Sequence, residues 1–219
     1  MKALLLGVAI SLTTNGFAQQ ITNNNTLNVQ IDGKAYTTQP RRVRIGTFWW
    51  ITANSTNPDK SLRVWLGSYD GTDALASGTY LVVDADKAYT KDSRKRAEQL
   101  GKYKGIAAIK YVEETRSPRM EYKVGKSQNN DEIIEVKVNA DGTLEATFGG
   151  SLAGSLWKEK AAATVFGGMG RLIDKAQDKA VTKTTGYDSD IDPEGNGYRK
   201  TSSTDDIVLT NGTFKLKLN

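Results

Sequence analysis

Alternation of apolar and polar residues dominates the last third of the chain. Ile134, Val136 and Val138 lead into Asp141-Gly142, and Leu144, Ala146 and Phe148 follow it. Ile207 and Leu209 stand in the same relation to Asn211-Gly212, with Phe214, Leu216 and Leu218 beyond. A period of two around a turn dipeptide predicts a hairpin in each place. The chain therefore ends, from Ile133 to Trp157 and again from Asp206 to Leu218, by completing a sheet with one apolar face.

The same signal recurs upstream. Leu27, Val29 and Ile31 alternate up to Asp32-Gly33 and Ala35-Tyr36 returns, which predicts a first hairpin. Arg42 to Ala53 reads as one long strand, with Val43, Ile45, Thr47, Trp49 and Ile51 on one face and Arg44, Phe48 and Trp50 on the other. After a polar turn at Asn54 to Lys60, Leu62, Val64 and Leu66 alternate with Arg63 and Trp65, so a long hairpin gathers Trp49, Trp50 and Trp65 into one neighbourhood. Gly78 to Asp84 is apolar on both faces at its centre, the pattern of an interior strand. Ile106 to Glu114 and Arg119 to Val124 form another hairpin, with Tyr122 and Val124 on its buried face.

Two stretches depart from this period. Asp92 stands in N-cap position before Ser-Arg-Lys-Arg-Ala-Glu-Gln-Leu, and Gly101 follows as a stop, which predicts a short basic surface helix. Leu172, Ile173, Ala176, Ala180 and Val181 recur at helical spacing and predict a second helix from about Arg171 to Lys183. Thr184 to Ser203 is polar and acidic and reads as an exposed loop. The fold class expected is mostly β, an antiparallel β-sandwich or up-and-down β-barrel with one or two short helices. Residues 19–219 read as one domain carrying a helix-plus-acidic-loop insertion at about 158–203.

The N-terminus changes the picture of where this domain works. Lys2, a short apolar run from Ala3 to Leu12 and the small residues Gly16 and Ala18 follow the plan of a secretory signal peptide over residues 1–18. The run is too short to span a bilayer, so no transmembrane segment is expected after cleavage. Export to the periplasm or the extracellular space is the expectation. The 219 residues contain no cysteine, so packing alone holds the exported domain together.

Composition narrows the chemistry further. Neither histidine nor cysteine occurs anywhere in the chain, which removes serine and cysteine triads, thiol chemistry and nearly every zinc, copper or haem site. A carboxylate pair for glycoside hydrolysis remains open in principle, but no spacing marks one pair among the 25 acidic residues, and a non-enzymatic protein is expected. The net charge of +5 is regional: residues 87–126 hold an excess of basic residues, while 188–206 runs acidic. The basic stretch carries Tyr89, Tyr103, Tyr111 and Tyr122, a loose match to a stacking groove, but export argues against a nucleic-acid partner.

Three constellations stand out. Asp188, Asp190 and Asp192 alternate as the oxygen ligands of a calcium loop do, although Pro193 and Arg199 stand where an EF-hand needs Gly and a bidentate acid. If a metal binds, calcium is the one these ligands suit; no other cofactor is expected. Gly167-Gly168-Met169-Gly170 leads into the second helix but lacks the third Gly of a dinucleotide fingerprint, Ile173 standing there. Trp49, Trp50 and Trp65 offer either a stacking platform for a glycan or the mouth of a barrel holding a small apolar ligand, and strict alternation sets Trp49 and Trp50 on opposite faces.

The signal ending Phe17-Ala18-Gln19, the segment Gly142-Thr-Leu-Glu-Ala-Thr-Phe-Gly-Gly-Ser-Leu-Ala-Gly and the close Ile207-Val-Leu-Thr-Asn-Gly-Thr-Phe214 together resemble a family of secreted or lipid-anchored domains of unknown function common in Bacteroidota. The resemblance covers about a third of the mature chain. It implies a compact antiparallel, calycin-like β fold and no assigned activity. This chain differs in lacking a lipidation cysteine and in carrying the insertion from Lys158 to Ser203. The function expected is that of an exported β-domain acting by binding or as a structural module, with a lipocalin-like carrier and a carboxylate-based glycan hydrolase as alternatives.

Overall fold

In the computed structural model the described residues are 24–55, 59–68, 74–88, 90–115, 121–160, 192–194 and 197–218. The signal segment, the Gly167 to Gly170 run, the helix expected at 171–183, and Asp188 and Asp190 lie outside them.

Among the described residues twelve strands and one helix follow in the order β1 (Thr26–Ile31), β2 (Lys34–Thr38), β3 (Arg41–Ile45), β4 (Phe48–Asn54), β5 (Lys60–Ser68), β6 (Gly78–Val82), α1 (Lys91–Leu100), β7 (Gly105–Thr115), β8 (Glu121–Lys126), β9 (Ile133–Val138), β10 (Thr143–Glu159), β11 (Tyr198–Ser203) and β12 (Ile207–Lys217). They form one sheet whose main path runs β2-β1-β12-β10-β9-β6-β7-β5-β4-β3. All pairings are antiparallel except β6 with β7. The fold is mostly β, as the alternation predicts, with the strands in one large sandwich- or barrel-like sheet.

The sheet curls around a core of alternate residues, among them Leu27, Val29, Leu62, Val64, Ile109, Ile134, Leu144, Phe148, Leu209 and Phe214, all buried. It curls until β2 meets the end of β4, where the Tyr36 hydroxyl donates to the Ala53 carbonyl at 2.7 Å and the Thr38 hydroxyl to that of Asn54 at 2.6 Å. Burial, with nearby Asp59, pushes Tyr36 well above the usual phenol range, so the hydroxyl stays a donor.

Two long strands divide their partners. On one side β7 pairs with β5 along its length, and on the other with β6 through its first residues and β8 through its last. The 17-residue β10 pairs in the same way with β9 and then β8 on one side, and with β12 and then β11 on the other. Where β9 gives way to β8, the Glu132 carboxylate accepts from Ser151 N at 2.7 Å, so a side chain takes over from the ladder.

Several expectations are corrected. Asn211-Gly212 does not turn a hairpin: β12 is one strand, and Asn211, at φ 54°, makes a bulge against both β1 and β10. The residue type that accepts positive φ serves bulges and hairpins alike. Gly212 is required for a different reason, since a Cβ there would lie 2.6 Å from the Phe148 ring. The single strand expected over Arg42 to Ala53 is instead a hairpin, β3 and β4, turning at Gly46 with φ 59°. Val43 therefore pairs with Trp50, and Arg44 with Trp49. Tyr198 to Ser203, expected within an exposed loop, is strand β11 against the end of β10.

Helix α1 lies where the sequence placed it, but Thr90 rather than Asp92 is the N-cap, its Oγ1 accepting from Ser93 N, and Gly101 closes the C-terminus at φ 68°. Ala97 on α1 is buried with Phe48, Trp65, Leu81, Ile106 and Ala108 in a second cluster on the outer face of the sheet. Among the described residues no helix is long and apolar enough to cross a membrane.

Candidate functional site

The outer face of β7 runs Ile106, Ala108, Lys110, Val112, alternating with the interior Ala107, Ile109 and Tyr111. Helix α1 packs over its first part, and Tyr122, Val124 and Tyr198, with Trp157 against them, pack over its last. Between these covers stands Lys110. In the sheet register Lys110 faces Arg63 on β5 and Lys126 on β8, so three cations stand side by side on adjacent strands. Like charges so opposed repel, and Arg63 and Lys110 are only 1% and 5% exposed.

An acidic tripeptide resolves the repulsion. The Asp192 carboxylate accepts from Arg63 at 2.7 Å and from Lys110 at 2.8 and 2.9 Å. Glu194 is bonded by both Lys110 and Lys126, and Lys126 reaches Asp86 at 2.6 Å. The Glu194 amide donates to Asp192 Oδ1 at 3.1 Å, which turns both carboxylates to the same side. Among the described residues three cations thus meet three carboxylates. Burial alone raises the Asp192 pKa, but the charges of Lys110 and Arg63 outweigh it and hold Asp192 below the usual carboxylate value. Burial likewise lowers Lys126, and its bonds to Asp86 and Glu194 more than reverse this, leaving it above an ordinary lysine.

Beside this cluster opens a cleft of about 460 Å³, with Lys126 and Glu194 on one wall and Trp157, Ser155, Lys200 and Asp206 among its other lining groups. Its geometry is set by β10. Gly154 has no room for a side chain, because a Cβ would meet the Asp205 carbonyl at 2.2 Å, and the 204–205 segment closes onto it with Thr204 N bonded to Gly154 O. Ser155, buried, donates to the Val124 carbonyl at 3.2 Å and accepts the Trp157 indole N–H at 3.1 Å. The Trp157 ring is thereby fixed and half-buried, with hydrogen-bonding side chains around it. A fixed indole among such groups suits the alternating apolar and hydroxyl faces of a sugar.

A shallower groove of about 500 Å³ crosses the outer face of β9, β10 and β12. Across its strands Lys137 and Lys215 flank Glu145, Lys215 bonded to it at 2.9 Å, and Glu135, Thr147 and Thr213 stand in the neighbouring row, as on a solvated sheet face. The cleft at Trp157 is the better-formed site.

The residues singled out from the sequence fall as follows. Trp50 and Trp65 meet edge to face, ring centroids 5.4 Å apart, in the cluster under α1. Trp49 points the other way and packs against the main core, so the three rings do not form one platform. Asp192 is held by Arg63 and Lys110, while Asp188 and Asp190 lie outside the described residues. Among the described residues no group of three or more acidic side chains is arranged to hold a metal ion. Trp157 and the cation row were not anticipated. The available signal was a Lys or Arg amid apolar neighbours in an interior strand, as at Arg63 and Lys110, which demands a buried anion from elsewhere.

The chain matches no family model, no curated protein and no solved structure.

Proposed function

We propose that the protein is an exported, non-enzymatic β-domain of the periplasm or cell surface, and that it binds an oligosaccharide in the cleft beside Trp157. The observation that carries this reading is the tethered Trp157 indole on the wall of a cleft whose other groups are hydrogen-bonding side chains. The signal-like N-terminus supports export, and the lack of histidine and cysteine supports a binding role over catalysis. An interior filled by its own leucine, valine and phenylalanine side chains gives the apolar-carrier reading no comparable support.

Titration of the intact protein with a panel of neutral and acidic oligosaccharides, followed by tryptophan fluorescence, tests the proposal. At least one sugar is expected to give a saturable change, and Trp157→Ala to weaken it about tenfold or more, on the order of 1.4 kcal/mol. If Trp157→Ala titrates like the parent chain, the cleft is not the site.

A further inference from the structure

A sheet has no need of three opposed cations. β-Branched residues at positions 63, 110 and 126 would pair better across β5, β7 and β8, and apolar contacts would hold a covering segment at least as firmly as buried ion pairs do. What ionic contacts add is exchangeability, because a lysine accepts any carboxylate that reaches it.

Access to the cluster is graded. The side chains of Arg63 and Lys110 are 2% and 6% exposed, and that of Asp192 is 18% exposed. Glu194 reaches 31%, and it is Glu194, with Lys126, that borders the cleft. An anionic group entering the cleft therefore meets Glu194 first, while Asp192 stays locked between Arg63 and Lys110. With Glu194 turned away, Lys110 keeps its bond to Asp192 and Lys126 its bond to Asp86, and each gives up one carboxylate contact. A single carboxylate in the place of Glu194 restores both contacts.

We infer that Lys110 and Lys126 form a carboxylate-binding site at the inner end of the cleft, that Glu194 occupies it as an internal competitor, and that the ligand it takes is an acidic sugar, a uronate. Its carboxylate replaces that of Glu194 while its ring lies along Trp157. This rests on the cleft being the sugar site.

Glu194→Gln in the full chain tests it, with trigalacturonate as probe and the neutral galactose trimer as control. Removing the competitor is expected to tighten trigalacturonate about tenfold relative to the neutral trimer. Adding Lys126→Met to Glu194→Gln is expected to cancel the gain. If the parent chain binds sugar and Glu194→Gln binds trigalacturonate no more tightly, Glu194 is only a wall of the cleft and the inference falls while the cleft reading stands. If neither chain binds either trimer, the inference falls, and the cleft reading falls with it only when the wider oligosaccharide panel also gives no saturable change. The parent chain supplies a readout that does not depend on the variant folding: the carboxyl carbon resonance of Glu194 is expected to shift with trigalacturonate and not with the neutral trimer, and an unmoved resonance at saturating trigalacturonate overturns the exchange.

Discussion

Lys110 and Arg63 face each other across the β5–β7 ladder, and both close on one carboxylate, that of Asp192, at 2.7 to 2.9 Å. Two strands that would repel at this register are tied through a residue far along the chain. That tie holds the 192–194 segment over the outer sheet face, beside the cleft.

Asp192→Asn leaves two buried cations sharing one fewer anion. We expect a loss of about 3 kcal/mol in urea unfolding, the usual consequence of removing one partner of a buried pair. Replacing Arg63, Lys110 and Asp192 together with apolar residues of similar volume is expected to recover most of that loss, because the unpaired charge is then gone.

The pH dependence follows from the same groups. Asp192 titrates below its ordinary value in the fold. Its contribution is full above the unfolded value of about 3.9 and is lost as pH falls through the lowered one. Lys126 titrates above its ordinary value. Its contribution is full below about 10.4 and is lost as pH rises through the raised one. Melting temperature against pH should therefore hold a plateau between these limits, with the acid limb flattened in Asp192→Asn and the alkaline limb flattened in Lys126→Met.

Gly212 lies against Phe148 with no space for a methyl group. Gly212→Ala is expected to cost about 2 kcal/mol by overpacking, measured by chemical denaturation.

Tyr36→Phe removes one of the two side-chain bonds that tie β2 to the end of β4. A loss of about 1 kcal/mol is expected, together with faster amide exchange in β2 and unchanged exchange in the centre of β10.

Most of the strands were legible from the period of two, because each has one face in the core: Leu27/Val29/Ile31 and Ile134/Val136 show it plainly. Turn chemistry was less legible. Asp32-Gly33, with φ of 50° and 75°, turns a hairpin, and Asn211-Gly212 bulges within a strand. The dipeptides are nearly alike, and only the partners on both sides of β12 decide between them. The Gly46 turn was hidden because Val43 to Ile51 alternates straight through it. The candidate site was the least legible part. Its groups come from β5, β7, β8, β10 and the 192–194 segment, and the bond between Arg63 and Asp192 spans 129 residues. No local spacing reports such a pairing; the charge of an interior-strand Lys or Arg says only that an anion must exist.

The most direct test of the account is a map of backbone amide shifts on adding oligosaccharide to the full chain. The account predicts that the shifts centre on Lys126, Ser155, Trp157 and Lys200, with Glu194 joining them for a uronate alone. Shifts centred instead on Trp50 and Trp65 under α1, or on the open face of β9 and β12, would contradict it.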